Sequence, residues 1–116
     1  MSAEPLDSLR EICLAFPEAA ERETWGEATF RVRAKIFAMA GNHDAGWSMS
    51  CKARPGLQSV LVGSAPSRFY VPPYVGPKGW IGIYLNDATD WDELADFVEE
   101  SYRMTAPKRL AAQLDS

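Results

Sequence analysis

Apolar and polar positions repeat with two different periods along this chain. In "PLDSLREICLAF", residues 5–16, Leu6, Leu9, Ile12, Cys13 and Phe16 recur at helical spacing, which predicts a helix with one apolar stripe. Pro5 suits its first turn and Pro17 ends it. "ERETW", 21–25, reads as a short strand broken by Gly26. Residues 28–40 alternate apolar and polar side chains nearly without fault and read as one strand. "GNHDAG", 41–46, is a turn, and "WSMSCKA", 47–53, alternates again to complete a hairpin. "PGLQSVLVGSAP", 55–66, predicts a short helix with Leu57, Val60 and Leu61 inward. "SRFYVPPYVGPKG", 67–79, is a structured loop with an edge strand near 69–71, because its prolines cannot serve a central ladder. "WIGIYL", 80–85, is a strand. Residues 90–104 form a second clear helix, capped by Asp90 with Glu93 three positions on. Its buried side takes Trp91, Leu94, Ala95, Phe97, Val98 and Tyr102, and "PKRLAAQL" adds a last helical turn.

Two helices with one apolar stripe each, and strands with one apolar face each, can all bury those surfaces in a single arrangement. It is an α+β, two-layer fold: a twisted antiparallel sheet with the helices packed on one face. At 116 residues the chain is read as one domain spanning 1–116. No apolar run approaches the roughly 20 residues of a membrane helix. The N-terminus lacks the basic start and apolar stretch of a signal peptide, so a cytoplasmic location is expected.

Strand parity then sorts the remaining side chains. Phe30, Val32, Ala34 and Ile36, then Trp47, Met49 and Cys51, then Ile81, Ile83 and Leu85 face the helices. The opposite face receives Arg31, Arg33 and Lys35, then Ser48, Ser50, Lys52 and Arg54, then Trp80, Gly82 and Tyr84. The formal net charge is -4, yet residues 22–80 carry eight basic side chains against three acidic ones. The two ends of the chain are correspondingly acidic. Local potential matters more than the total for a charged partner. Arg31, Arg33, Lys35, Lys52 and Arg54 are therefore the candidates for phosphates or acidic groups, with Trp80 and Tyr84 for stacking on unpaired bases. The plainer alternative is a cationic sheet face kept wet for solubility. In the loop, Arg68, Tyr70, Tyr74 and Lys78 could extend that face at its rim, although packing of Phe69 and Tyr70 on the sheet end is the simpler expectation. Trp25 and Trp91 are expected to anchor the core.

Chemistry of other kinds has little purchase. Cys13 and Cys51 fall at apolar positions and are expected as buried free thiols. His43, the single histidine, lies in a turn, and no zinc spacing is present. Ser64, Ser67 and Ser101 have no histidine placed to activate them. "GPKG" lacks the rest of a phosphate-binding loop. No enzymatic activity and no cofactor are expected.

The last third, "FYVPPYVGPKGWIGIYLNDATDWDELADFVEESYRMTAPKRLA", resembles the end of the MmcQ/YjbR-like family. The matching positions are Pro72, Pro73, Gly79, Trp80, Asp90, Trp91, Leu94, Ser101, Tyr102, Ala106, Pro107 and Lys108. The early segment "FPEAAERETWGEATFRVRAKIFA" is similar too. The resemblance implies a fold like that of bacterial frataxin (CyaY-like) and a small cytoplasmic protein for which DNA binding has been suggested. It also invites an iron site on Glu4, Asp7 and Glu11 or on Asp92, Asp96, Glu99 and Glu100, but acidic helix faces are ordinarily just solvated, and no metal is expected. The leading expectation is a binding protein that takes nucleic acid on its open sheet face. The alternative is a protein–protein adaptor that uses the same face. Oligomeric state stays open.

Overall fold

A computed structural model describes residues 4–43 and 46–115, and of His43 the backbone alone. The chain forms α1 (Pro5–Leu14), β1 (Ala20–Thr24), β2 (Glu27–Val32), β3 (Lys35–His43), β4 (Gly46–Cys51), α2 (Leu57–Ser64), β5 (Phe69–Tyr70), a 3-10 turn (Gly76–Lys78), β6 (Ile81–Tyr84), α3 (Trp91–Thr105), α4 (Lys108–Ala112) and a final 3-10 turn (Gln113–Asp115). The strands make one six-stranded sheet in the order β1-β2-β3-β4-β6-β5, antiparallel at every pairing. This is an α+β fold, as the two periodicities predict.

Residues directly opposite one another in an antiparallel ladder share a face. The row Ala28–Ala40–Met49–Ile83–Phe69 therefore lies on one side, and the row Thr29–Met39–Ser50–Gly82–Tyr70 on the other. The first side is the core. Ala40, Met49, Ile83 and Phe69 join Phe30, Val32, Cys51 and Ile81 there beneath Leu9 and Cys13 of α1 and Leu94, Val98 and Tyr102 of α3. Tyr102 is fully buried. Its ring stacks on Phe16 at 4.9 Å and meets Phe37 edge-on at 5.3 Å, pairs worth about 1 kcal/mol each beyond area burial. Its hydroxyl donates to the Pro17 carbonyl at 2.6 Å, which ties α3 to the exit of α1. Asp90 caps α3 by accepting from the Asp92 and Glu93 amides, each at 3.1 Å. Glu93 does not close the reciprocal half of a box; its carboxylate pairs with Arg68.

Two sequence expectations need correction. Residues 28–40 are not one strand. Arg33 and Ala34 both take positive φ, 52° and 67°, and form a two-residue turn between β2 and β3, with Val32 opposite Lys35. The primed turn geometry matches the strand twist, so the chain reverses where the pattern showed no break. A bulge then sets Ala38 opposite Phe30 and Ile36 opposite Arg31, with Phe37 as the extra residue. Phe37 and Ala38 are both in the core, whereas Ala34 is exposed at the turn and Ile36 shares the open side with Arg31. The expected turn at 41–46 is also tighter than drawn. Gly41, Asn42 and the His43 backbone belong to β3, β4 starts at Gly46, and Asp44 and Ala45 lie outside the described residues.

Candidate functional site

The open face is assembled from alternate residues of every strand. By register it receives Arg22 and Thr24 from β1, Glu27, Thr29 and Arg31 from β2, Met39 from β3, and Ser48 and Ser50 from β4. Gly82 and Tyr84 of β6 and Tyr70 of β5 complete it. Gly82 is required here by space. A Cβ at this position would run into the Tyr70 ring, which crosses β6 at the glycine. Tyr70 Oη thereby reaches Ser48 Oγ on β4 and donates to it at 2.8 Å.

The cations singled out from the sequence divide into two groups. Arg31 stays on this face, where its guanidinium donates to Thr29 Oγ1 at 3.2 Å, Thr24 Oγ1 at 3.1 Å and the Ala34 carbonyl at 3.2 Å, all neutral acceptors. Lys52 also stays, half-buried just beyond β4. Its ammonium is pulled below the usual lysine range, first by burial and then by repulsion from Lys35 and Lys78. Lys35 itself departs from the expected row: it stands opposite core residue Val32 beside the β2–β3 turn, so register puts it on the helix side, exposed at the end of the sheet, from where its charge still acts on Lys52. None of the three lysines forms an ion pair among the described residues. Arg33 and Arg54 leave the row. Arg33, at the turn, is bidentate to Glu18 at 2.7 and 3.1 Å. Arg54, past the end of β4, reaches both Glu100 oxygens on α3 at 3.1 Å. A run of alternating residues cannot foretell such pairs, because their carboxylates come from distant segments.

The aromatic candidates also change role. Trp80 is 7% exposed and so is not available for stacking, and its carbonyl accepts from the Gln58 side chain at 2.6 Å, which also donates to the Gly76 carbonyl of the loop. The Tyr84 ring lies 4.8 Å from that of Tyr70, tilted by 32°, and already has an aromatic neighbour. The exposed aromatics are others. Trp25 is 97% exposed and Tyr74 is 94% exposed, which corrects the expectation of Trp25 as a core anchor. Trp91, by contrast, packs against the core as expected. The signal for Trp25 was present in the sequence: Trp-Gly between two short polar-apolar strands fits a two-residue turn, and its side chain then projects from the hairpin end.

Both aromatics border one groove of about 1140 Å³. On the open face its floor is Thr29, Met39, Ser48 and Ser50, and residues 72–75 of the loop wall it on one side. Its lining also includes Trp25 and Gly26 at the β1–β2 turn and, on the helix side, Leu6, Arg10 and Met49. There Arg10 is bidentate to Glu21 at 2.6 and 2.9 Å. A smaller cavity of about 230 Å³ lies where β6 meets α3, lined by the Arg68–Glu93 ion pair and by Asp90, whose carboxylate caps α3. Both thiols are buried and unpaired. Burial raises Cys13 and Cys51 above the usual thiol range, Cys51 to about 12, which keeps them protonated and unreactive at neutral pH. No helix is long and apolar enough to cross a membrane among the described residues.

The crystal structure of Deinococcus radiodurans protein DR2400, with a DUF419 domain, superposes with a TM-score of 0.77. The two sequences are 19% identical, and the match covers 87% of this chain and 78% of that one, a likeness of fold. No curated protein matches the chain. The YjbR family model matches residues 14–104, a span that runs from the end of α1 through the whole sheet to the last turn of α3. The chain belongs to the YjbR family.

Proposed function

We propose that this protein is a cytoplasmic, non-enzymatic binding module that takes nucleic acid on the open face of its sheet. One observation carries the reading: the sheet separates the charges of the molecule. Arg22, Arg31 and Lys52 share the open face with one carboxylate, Glu27, and the charges of Lys35 and Lys78 reach Lys52 from the end of the sheet. Most of the acidic residues belong to α1, α3 and the segments flanking them. An overall charge of -4 slows the approach of a polyanion without preventing its capture by a segregated cationic face. The DNA-binding role suggested for the family, and its CyaY-like kinship, are consistent with this reading and belong to the same proposal.

Binding of a labelled oligonucleotide over a salt series tests it. If all five cations meet phosphates, the log–log slope approaches about -3.5 on single strands or about -4.5 on duplex. The double variant Lys35→Glu, Lys78→Glu should lose binding with the fold intact, because both side chains are exposed. Arg33→Gln should bind like the parent, since Arg33 is occupied by Glu18. Parental affinity in the double variant refutes the nucleic-acid reading. A protein retained by the parent and released by the double variant, with no oligonucleotide bound, would establish the adaptor instead.

A further inference from the structure

We infer that the nucleic acid taken by this face is single-stranded, with unpaired bases stacked on Trp25 and Tyr74. The inference rests on the nucleic-acid reading above and adds to it the form of the ligand and the residues that recognise it.

Trp25 and Tyr74 share three properties. Each is almost wholly exposed, at 97% and 94%. Each has a left-handed backbone, with φ of 55° and 66°. Each borders the same groove. A bulky side chain at positive φ is a genuine outlier, and asparagine or glycine would hold either turn with less strain. Trp25 occupies the first position of the β1–β2 turn, followed by Gly26 at φ 81°. Tyr74 is the middle residue of a tight turn closed by the Val75 amide donating to the Pro73 carbonyl at 2.7 Å. Folding gains almost no burial from either ring, so neither the strain nor the exposed apolar surface is repaid within the monomer.

The surroundings determine which ligand would repay it. The floor between the rings is Thr29, Ser48 and Ser50, all three buried, and the cations border it: Arg31 donates to Thr24 and Thr29 Oγ1, and Lys52 follows Ser50 two residues on. Exposed stacking surfaces on a groove bordered by cations match unpaired bases on a phosphate backbone. A duplex hides its base faces inside the helix and offers such rings nothing to stack on. The charged residues that line the groove are the Arg10–Glu21 pair, Glu23 and Glu27, all toward Trp25, so that end suits a base while phosphates belong toward Lys52 and Lys78, outside the lining.

The probe is an oligothymidylate of roughly ten nucleotides, compared with a duplex of the same length. The single strand should bind more tightly and quench part of the tryptophan emission. Trp25→Ala and Tyr74→Ala should each weaken it roughly tenfold or more. Both variants should keep the parental circular dichroism and melting temperature, because neither ring packs on the core. The quenching should shrink in Trp25→Ala and not vanish, since Trp80 is buried but half-buried Trp47 also lines the groove. Equal or tighter duplex binding, or single-strand affinity unchanged in both variants, overturns this inference and leaves the broader reading standing. No binding of either form overturns both.

Discussion

Ser101 sits in the middle of α3, and in the sequence it looked like a serine with no partner. It is fully buried and bridges two strands. Its Oγ accepts from the Lys52 amide at 2.9 Å and donates to the Phe37 carbonyl at 2.6 Å. Phe37 is the extra residue of the bulge, so the sheet ladder leaves its backbone groups short of partners. A hydroxyl from the helix above supplies what the ladder lacks, and the bulge is thereby locked to α3. Ser101→Ala should cost about 2–3 kcal/mol, because it strands a buried donor and a buried acceptor together. Ser59→Ala, on the exposed side of α2, should change stability by less than about 0.5 kcal/mol. Urea unfolding compares the two; a loss at Ser101 no greater than that at Ser59 would show that water replaces the hydroxyl at no cost.

The β2–β3 hairpin shows how an element can hide in a regular pattern. A two-residue turn keeps the parity of an alternating sequence, and "VRAK" holds neither glycine nor asparagine to announce a reversal. The turn is held instead by pairing on both sides and by the Arg33–Glu18 ion pair, which fixes Arg33 against the segment after α1. Ala34, at φ 67°, has its Cβ in an unfavourable place. Ala34→Gly should therefore stabilise the protein by about 1 kcal/mol, against the usual penalty for adding glycine. Thermal or urea unfolding would show it, with an unchanged denaturant slope. Destabilisation by Ala34→Gly would mean that the turn does not hold the left-handed conformation. Other elements behaved differently: α1, α2, α3 and β6 lie within a residue or two of where their patterns put them, although Val60 of α2, expected inward, is exposed.

For the whole molecule, the titrating groups define a pH window. Hydrogen bonding to arginine holds Glu18, Glu21 and Asp115 below the usual carboxylate range. Depressed values mean that the unfolded state binds more protons on the acid side, so these groups stabilise the fold above about pH 4.5 and lose that contribution as the pH falls through their folded values. The effect is small, since these pairs are largely exposed and Glu21, the most sheltered, supplies less than about 1 kcal/mol. On the alkaline side burial raises Cys13, Cys51, Tyr70 and Tyr102. Here the native state keeps protons that the unfolded chain releases, so stability is fully present below about pH 9 and declines above it. Melting temperature should form a plateau from roughly pH 5 to pH 9 with the steeper fall on the alkaline side. Replacing Cys51 with Ala should soften that fall, because it removes one buried thiol. An alkaline limb unchanged in this variant would mean that the thiol does not contribute to it.

By itself the sequence determined the α+β class, the main helices, the helix-facing set on β4 and β6, and the placement of Arg31 and Lys52 on the open side. These follow from periods of two and 3.6, which are local properties of a chain. Only the tertiary structure decided which cations remain available. Arg33 and Arg54 are taken by Glu18 and Glu100, which lie far from them in sequence, while the charges of Lys35 and Lys78 act on Lys52 only because β3, β4 and the 3-10 turn converge. It also decided which aromatics are exposed, because Trp80 and Trp25 look alike in a pattern of apolar residues. One is buried, and the other stands exposed on a left-handed turn. Packing across the sheet, with close contacts between residues distant in the chain, makes that choice.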